Sequence, residues 1–169
     1  MDILKEKTSS NLKTNVKLYS FPANFTYEDV KRLRENGELE KYLVDEGKNL
    51  VVDAGLQQII DLMVGKNTTS FTHCSTGSGT NTPAAGDTDL QTSLGRVAIS
   101  ERYRSGLSAA FDTFFVAGDN NGSWNETGIH TAASGGTMLC RRKFGATFTK
   151  ASTNTALIQW TVTLAAVAD

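Results

Sequence analysis

The chain has 169 residues, of which 39% are hydrophobic and 21% are charged, and its formal net charge is −1. This length suits one domain with a small appendage, and the charge balance gives no reason to expect a nucleic acid or a membrane surface as partner. No apolar run reaches the length of a membrane span, and the polar start MDILKEKTSSNLK lacks the apolar core of a signal peptide. We therefore expect a chain that is made and kept in a cytoplasm.

Charged residues are concentrated near the N-terminus. Residues 1–48 hold nine basic and nine acidic side chains, whereas the remaining 121 residues hold eight and nine. This contrast predicts a solvated arm over residues 1–47 and a folded domain over residues 48–169.

A short helix is predicted inside the arm. Thr26 and Asp29 have the spacing of a capping box, and the Asn-Gly pair at 36–37 would end the helix. After that break, either a further helical stretch from Leu39 or a strand through Val44 fits the pattern, and the sequence does not choose between them.

Five large apolar side chains stand in this arm, which is too short to bury them alone. They are candidates for anchoring the arm on a neighbouring subunit: Leu18, Tyr19, Phe21, Phe25 and Tyr27. The alternative is that they pack on the chain's own domain.

The segment NLVVDAGLQQIIDLMVG predicts a short strand at 50–52 followed by a helix over 54–64. Asp53 would cap this helix and Gly65 would close it in the left-handed conformation. One apolar stripe at helical spacing is expected to face the core, and it consists of Leu56, Ile59, Ile60 and Met63.

From about residue 70 the apolar pattern has a period of two, which is typical of strands. Strands are predicted over 71–76, 96–103, 107–116, 126–131, 137–146 and 156–165. Short strands separated by Gly, Asn and Ser, with one packed helix, indicate a mainly β fold: an antiparallel β-sandwich with an N-terminal charged arm.

Residues capable of catalysis or metal binding do not converge in the sequence. His73 and Cys74 are adjacent in a strand and point to opposite faces, and His130 and Cys140 add no spacing typical of a zinc site. We expect both cysteines to be buried free thiols.

The acidic residues fit turns better than chemistry. Residues 119–122 (DNNG) fail the calcium-loop pattern, and Asp87 and Asp89 resemble a capping turn. Because no nucleophile motif is present either, the sequence predicts no enzyme, no metal and no cofactor.

The sharpest basic cluster is Arg141-Arg142-Lys143, where alternation puts Arg141 and Lys143 on one face of a strand. A nucleic-acid surface would carry a broader basic field with aromatics, so a solvated face or ion pairs at a subunit interface are favoured.

Trp124 is the one tryptophan in a predicted loop. It could offer a stacking platform for a host glycan, together with the loops 77–86 and 118–125. This gives a second class of function, a glycan-binding module.

Four segments, taken in order, resemble a group of small bacteriophage virion proteins and tail-fibre-like modules. They are NLVVDAGLQQIIDLMVG, STGSGTNTPAAGDTDLQTSLGR, NNGSWNETGIH and GGTMLCRRKFGATFTKASTNTALIQWTVTL, and they cover about residues 48–166. In that group a capped helix precedes a strand into a Gly-rich turn, a loop ending Asp-Thr-x-Leu, a Glu-x-Gly-Ile strand and a final Trp-Thr strand. The charged segment in front is longer here than such a module needs.

The resemblance implies a non-enzymatic structural protein located in the virion, at the tail or neck as a collar, baseplate or fibre attachment. A capsid decoration protein is the alternative. The resemblance also implies a homo-oligomer that contacts other virion proteins, with the N-terminal arm docking on adjacent subunits.

Overall fold

The computed structural model describes residues 12–164, which contain ten strands and two α-helices. The helices are α1 (Tyr27–Glu35) and α2 (Asp53–Met63), and a 3-10 turn spans Leu39–Tyr42. The strands are β1 (Leu12–Pro22), β2 (Leu43–Gly47), β3 (Leu50–Val51), β4 (His73–Gly77), β5 (Ser93–Ala98), β6 (Glu101–Ser105), β7 (Ser108–Phe115), β8 (Gly122–His130), β9 (Met138–Lys150) and β10 (Asn154–Leu164). In this range, neither helix has the length and apolar character needed to cross a membrane.

The strands form two five-stranded antiparallel sheets that pack face to face. The first sheet has the order β2-β1-β10-β7-β6 and the second has the order β3-β9-β8-β4-β5. The main core lies between them and includes the buried rings of Phe115, Trp124 and Trp160. The predicted antiparallel β-sandwich is confirmed.

β1 is an inner strand of the first sheet and not part of a separate arm. It pairs with β10 along its whole length, from Leu12 opposite Leu164 to Pro22 opposite Asn154, and with β2 on its other side. The predicted boundary at residue 47 is therefore wrong for the described residues, because sheet pairing joins both sides of it. Residues 1–11 of the predicted arm lie outside the described residues.

α1 covers the outer face of the first sheet. The predicted capping box is present: the Asp29 amide donates to the Thr26 hydroxyl at 3.3 Å, and the Thr26 amide donates to the Asp29 carboxylate at 2.8 Å. The helix ends at Asn36, and Gly37 takes a φ of +70°, as the Asn-Gly pair predicts. Most of the charged side chains in residues 12–47 lie on α1 and in the segment that follows it. One side of these elements faces solvent.

After α1 the chain forms both predicted alternatives, first a helical turn from Leu39 and then a strand through Val44. The chain makes the 3-10 turn over Leu39–Tyr42 and then enters β2. Leu39 of the 3-10 turn and Val30 of α1 form a second small core with side chains on the outer face of the first sheet. The fold therefore has a third layer that the sequence did not predict, besides the two sheets.

The predicted strands are present, with one correction. Residues 96–103 are not one strand: β5 belongs to the second sheet and β6 to the first. The chain crosses between them at Ile99 and Ser100, whose amides donate to the carbonyls of Thr72 and Asp112. Alternation of side chains continues through this crossing, which is why the sequence pattern does not reveal it.

α2 is the predicted helix, shifted by one residue at its start, with Val52 as the N-cap and Asp53 as the first helical residue. It lies directly on β9, since a Cβ on Gly55 would collide with the backbone of Leu139. Gln58 is also buried and donates to the Thr69 carbonyl at 2.7 Å. The side of α2 that faces the protein is therefore the side of Gly55, Gln58 and Ile59, and the other three residues of the predicted apolar stripe are exposed.

Candidate functional site

The long loop between β4 and β5 lies over the outer face of the second sheet and is held by one buried carboxylate. Glu126 on β8 is inaccessible to solvent and accepts hydrogen bonds from the amides of Gly79 (3.0 Å), Gln91 (3.1 Å) and Thr92 (2.8 Å). A Cβ on Gly79 would collide with this carboxylate, so the glycine is needed for the close approach. The glycine-rich turn is thus a structural element of the loop.

Arg141 on β9 completes this anchor. Its Nε donates to Glu126 at 2.9 Å, one terminal nitrogen donates to Asp87 at 2.6 Å, and the other donates to the Asn81 carbonyl at 3.2 Å. Arg142, on the opposite face of the strand, pairs with Asp45 of β2. The basic cluster is therefore mostly buried in ion pairs within the chain, which contradicts a solvated face at these two arginines.

Ser75, His130 and Asp89 come together in space although the sequence shows no such set. The Ser75 hydroxyl lies 2.7 Å from His130 Nε2, and the Asp89 carboxylate lies 3.8 Å from the same nitrogen. His130 Nδ1 has no partner among the described residues. In a catalytic triad the carboxylate holds Nδ1 and leaves Nε2 to the nucleophile, so this arrangement is not a triad.

The His130 ring is fully buried. Burial and the neighbouring Arg96 charge lower the pKa of His130 to about 4, against the opposing effect of Asp89. The ring is therefore neutral at pH 7, and neither it nor the buried Ser75 is accessible to a substrate.

The two cysteines are buried free thiols, as predicted. Cys74 and Cys140 both lie opposite Ile129 on β8, so they are two strands apart. That separation is about 10 Å, beyond the reach of a disulfide. Burial raises the pKa of Cys74 to about 11 and raises that of Cys140 as well.

The five predicted anchoring residues pack on the chain's own sandwich. Leu18 belongs to the main core, and Tyr19 and Phe21 are buried in the core beneath α1. Phe25 stacks on Phe21 with ring centroids 5.5 Å apart, and Tyr27 is also partly buried in this core. This packing matches the alternative stated from the sequence, and it leaves Leu18, Tyr19 and Phe21 buried within the chain's own fold.

The buried carboxylate of Asp112 on β7 ties α1 to the first sheet. It accepts a hydrogen bond from the Tyr27 hydroxyl at 2.9 Å and one from Gln159 at 3.1 Å, and it pairs with Arg34. Burial and the Asp112 charge raise the pKa of Tyr27 above its ordinary value. No local motif links these four residues, which come from three separate elements.

Trp124 is fully buried, so its predicted role as a glycan-stacking platform is wrong for this fold. Its indole donates to the Asn120 carbonyl at 2.7 Å, and its ring packs edge-on against Phe115 and Phe148. The residue closes one end of the main core.

The described residues expose a large apolar surface at the α2 end of the sandwich. Among them are nine exposed large hydrophobic side chains, and six lie at this end, with 41% to 79% of their area accessible. We call these six the α2 surface: Leu56, Ile60, Met63, Val64, Leu107 and Leu164. Isolated exposed leucines are ordinary, but such a grouping marks an interaction site.

A groove of 230 Å³ lies beside α2 and has an almost wholly apolar lining. Ile59 of α2, Leu107 before β7 and Leu164 at the end of β10 contribute to it. A second, smaller groove joins Leu56 to Leu12, which is opposite Leu164 in the sheet. The grooves thus connect α2 to the end of the first sheet at which β1 begins and β10 ends.

The apolar stripe of α2 in the sequence was a signal for this surface, but it was predicted to belong to the core. Leu56, Ile60 and Met63 were expected to face inward with Ile59, and only Ile59 lies against the main core. Gly55 is the residue that could have shown the true orientation, since a glycine inside a helix is typical of close packing.

Comparisons with models of protein families, with curated proteins and with solved structures found no match to this chain. Among residues 12–164 there is also no group of three or more His, Cys, Asp or Glu side chains placed to hold a metal ion.

Proposed function

We propose that the chain is a non-enzymatic structural subunit of a bacteriophage virion, repeated symmetrically at the tail or neck. The observation that carries the proposal is the α2 surface, which leaves six large apolar side chains in contact with water. Such a surface costs solubility unless a protein partner covers it, and assembly into a larger particle supplies such partners. The reason for proposing a virion as that particle is the resemblance of four segments to virion proteins and tail-fibre-like modules.

The buried polar clusters support the same interpretation. Glu126, Arg141 and Asp112 are each saturated by partners within the chain. They hold a loop and a helix onto the sandwich, which makes a rigid body suited to repeated docking. In this proposal the docking face is the α2 surface, and not β1 and its aromatic residues.

The test is the composition of purified particles. Virions are isolated by density gradient from a culture infected with the phage that encodes this chain, and the chain is quantified by mass spectrometry against the major capsid protein. We expect a fixed copy number that survives repeated purification, and immunogold label at the tail or neck. Label over the whole head would favour the capsid decoration alternative, and loss of the chain during purification would overturn the proposal.

A further inference from the structure

We infer that the α2 surface is covered by the same surface of a second copy of this chain, with the two α2 helices antiparallel across a two-fold axis near Ile60. The pairing is argued from α2 itself, and only its role as a building block of a particle rests on the proposed function. Three features of α2 support it: its spacing, its symmetry and its charged ends.

The exposed side chains of α2 have the spacing of a helix-pairing seam. Leu56, Ile60 and Met63 stand at i, i+4 and i+7, which places them in one narrow row along the helix. The opposite side of the helix is already used, since Gly55 contacts the backbone of β9. A second helix is the element that such a narrow apolar row accommodates best.

This row is nearly symmetric about its centre. Leu56 lies four positions before Ile60 and Met63 lies three positions after it. An antiparallel copy therefore sets Leu56 against the partner's Met63 and Ile60 beside the partner's Ile60. Large side chains then meet large side chains along the whole seam, as a two-fold interface requires.

The charges at the two ends favour the antiparallel direction. Exposed Asp53 is the first residue of α2, and Lys66 follows its end, where it lies 3.6 Å from the Asp61 carboxylate of the same helix and keeps 75% of its side chain accessible. In an antiparallel pair each Asp53 end lies at the partner's Lys66 end, and the two helix dipoles oppose each other. A parallel pair would place the two Asp53 carboxylates together and align the two helix dipoles.

A single pair of short helices is too small for a stable dimer, which typically buries about 800 Å² on each partner. Leu107 and Leu164 flank α2 at the apolar groove and extend the surface beyond the helix. The partner's helix thus meets both a row of side chains and a groove beside it.

The first experiment is sedimentation equilibrium of the full chain over a wide concentration range, with two matched variants. Ile60→Lys places a charge at the centre of the seam, and Val44→Lys places one on β2, at a valine 49% exposed away from the α2 surface. We expect a dimer for the wild type and for Val44→Lys, and a dissociation constant at least about tenfold larger for Ile60→Lys. A monomeric wild type, or equal loss in both variants, would overturn the inference.

The second experiment tests the direction of pairing by oxidation of introduced cysteines, since Cys74 and Cys140 are buried. Ile60→Cys is expected to form a disulfide with itself across the two-fold axis. Leu56→Cys alone is not, because two such positions would be about 12 Å apart along the seam. A mixture of Leu56→Cys and Met63→Cys proteins should give the mixed dimer, and self-linking at Met63→Cys would overturn the antiparallel arrangement.

Removing residues 165–169, which follow Leu164 at the groove, tests another occupant. If the full chain is monomeric and the shortened chain dimerises, the chain's own C-terminal segment covers the groove and the inference fails. A dimer that is absent from virions would reject only the proposed function, whereas a chain present in virions but monomeric in solution would reject only the pairing.

Discussion

Glu126 on β8 and Arg141 on β9 form an ion pair of 2.7 Å that solvent scarcely reaches. The pair does not act alone, since the same carboxylate accepts three backbone amides of the loop between β4 and β5. A loop without regular structure is thereby attached to the sheet through Glu126, and Arg141 adds bonds to Asp87 and the Asn81 carbonyl of the same loop. The energetic consequence is that loss of this carboxylate leaves the buried guanidinium and the loop amides without their acceptor.

Replacing Glu126 with Gln should lower the free energy of unfolding by about 3 kcal/mol, because a neutral amide cannot neutralise buried Arg141. Urea unfolding measures this change, and hydrogen exchange should show faster exchange at the amides of Gly79 and Thr92. The exposed Glu35→Gln is the control and should change stability by less than about 0.5 kcal/mol. Equal stability of the two variants would contradict the anchoring role.

Gly55→Ala should destabilise the protein by about 1–3 kcal/mol, because the new Cβ would collide with the Leu139 carbonyl and push α2 off β9. The sign is informative, since alanine in an unconstrained helix would stabilise by about 1 kcal/mol. Gly86→Ala is the matched control, as a Cβ there meets no atom within 4 Å. Thermal unfolding compares the two, and a more stable Gly55→Ala would show that α2 does not lie on β9 as described.

Stability should fall between pH 7 and pH 4 in part through His130. Its pKa is about 4 in the folded protein and 6.5 for the unperturbed group. The stabilisation from burying neutral His130 is therefore fully present above pH 6.5. It is lost as the pH falls toward 4, because the unfolded chain takes up the proton first, and the loss in free energy of unfolding reaches about 3 kcal/mol. His130→Gln should flatten the pH dependence in urea titrations. Parallel curves for the two proteins would contradict the assignment.

Both thiols should be unreactive toward a disulfide reagent at pH 8 in the native protein and fully reactive in denaturant. The reason is that Cys74 and Cys140 are inaccessible and burial raises the pKa of each thiol. Spectrophotometric counting of reacted thiols gives the result directly. Rapid reaction of either cysteine without denaturant would mean that the second sheet opens at β4 or β9.

Features that depend on neighbouring residues could be predicted from the sequence. The capping box of Thr26 and Asp29 and the left-handed Gly37 and Gly65 are set by atoms within one turn of the chain. The inward positions of Ile158, Trp160 and Val162 on β10 follow from alternation, and the sandwich follows from the number of such strands. Local sequence patterns therefore predict both helices, most strands after residue 70 and the class of fold.

Contacts between elements depend on residues that are far apart in the chain. β1 became an inner strand because it pairs with β10, some 130 to 150 residues away in the chain. Arg141 gained Asp87 as a partner across 54 positions. Such contacts are set by sheet pairing and loop closure, which a local pattern does not encode.

The orientation of α2 shows the same division most clearly. Its apolar stripe is visible in the sequence, but a stripe shows only that one face of the helix is apolar and not which surface it packs against. The contact of Gly55 with Leu139 turned the helix so that Ile60 and Met63 face outward. The amphipathic character of α2 follows from its sequence, whereas packing against β9 leaves its apolar row exposed.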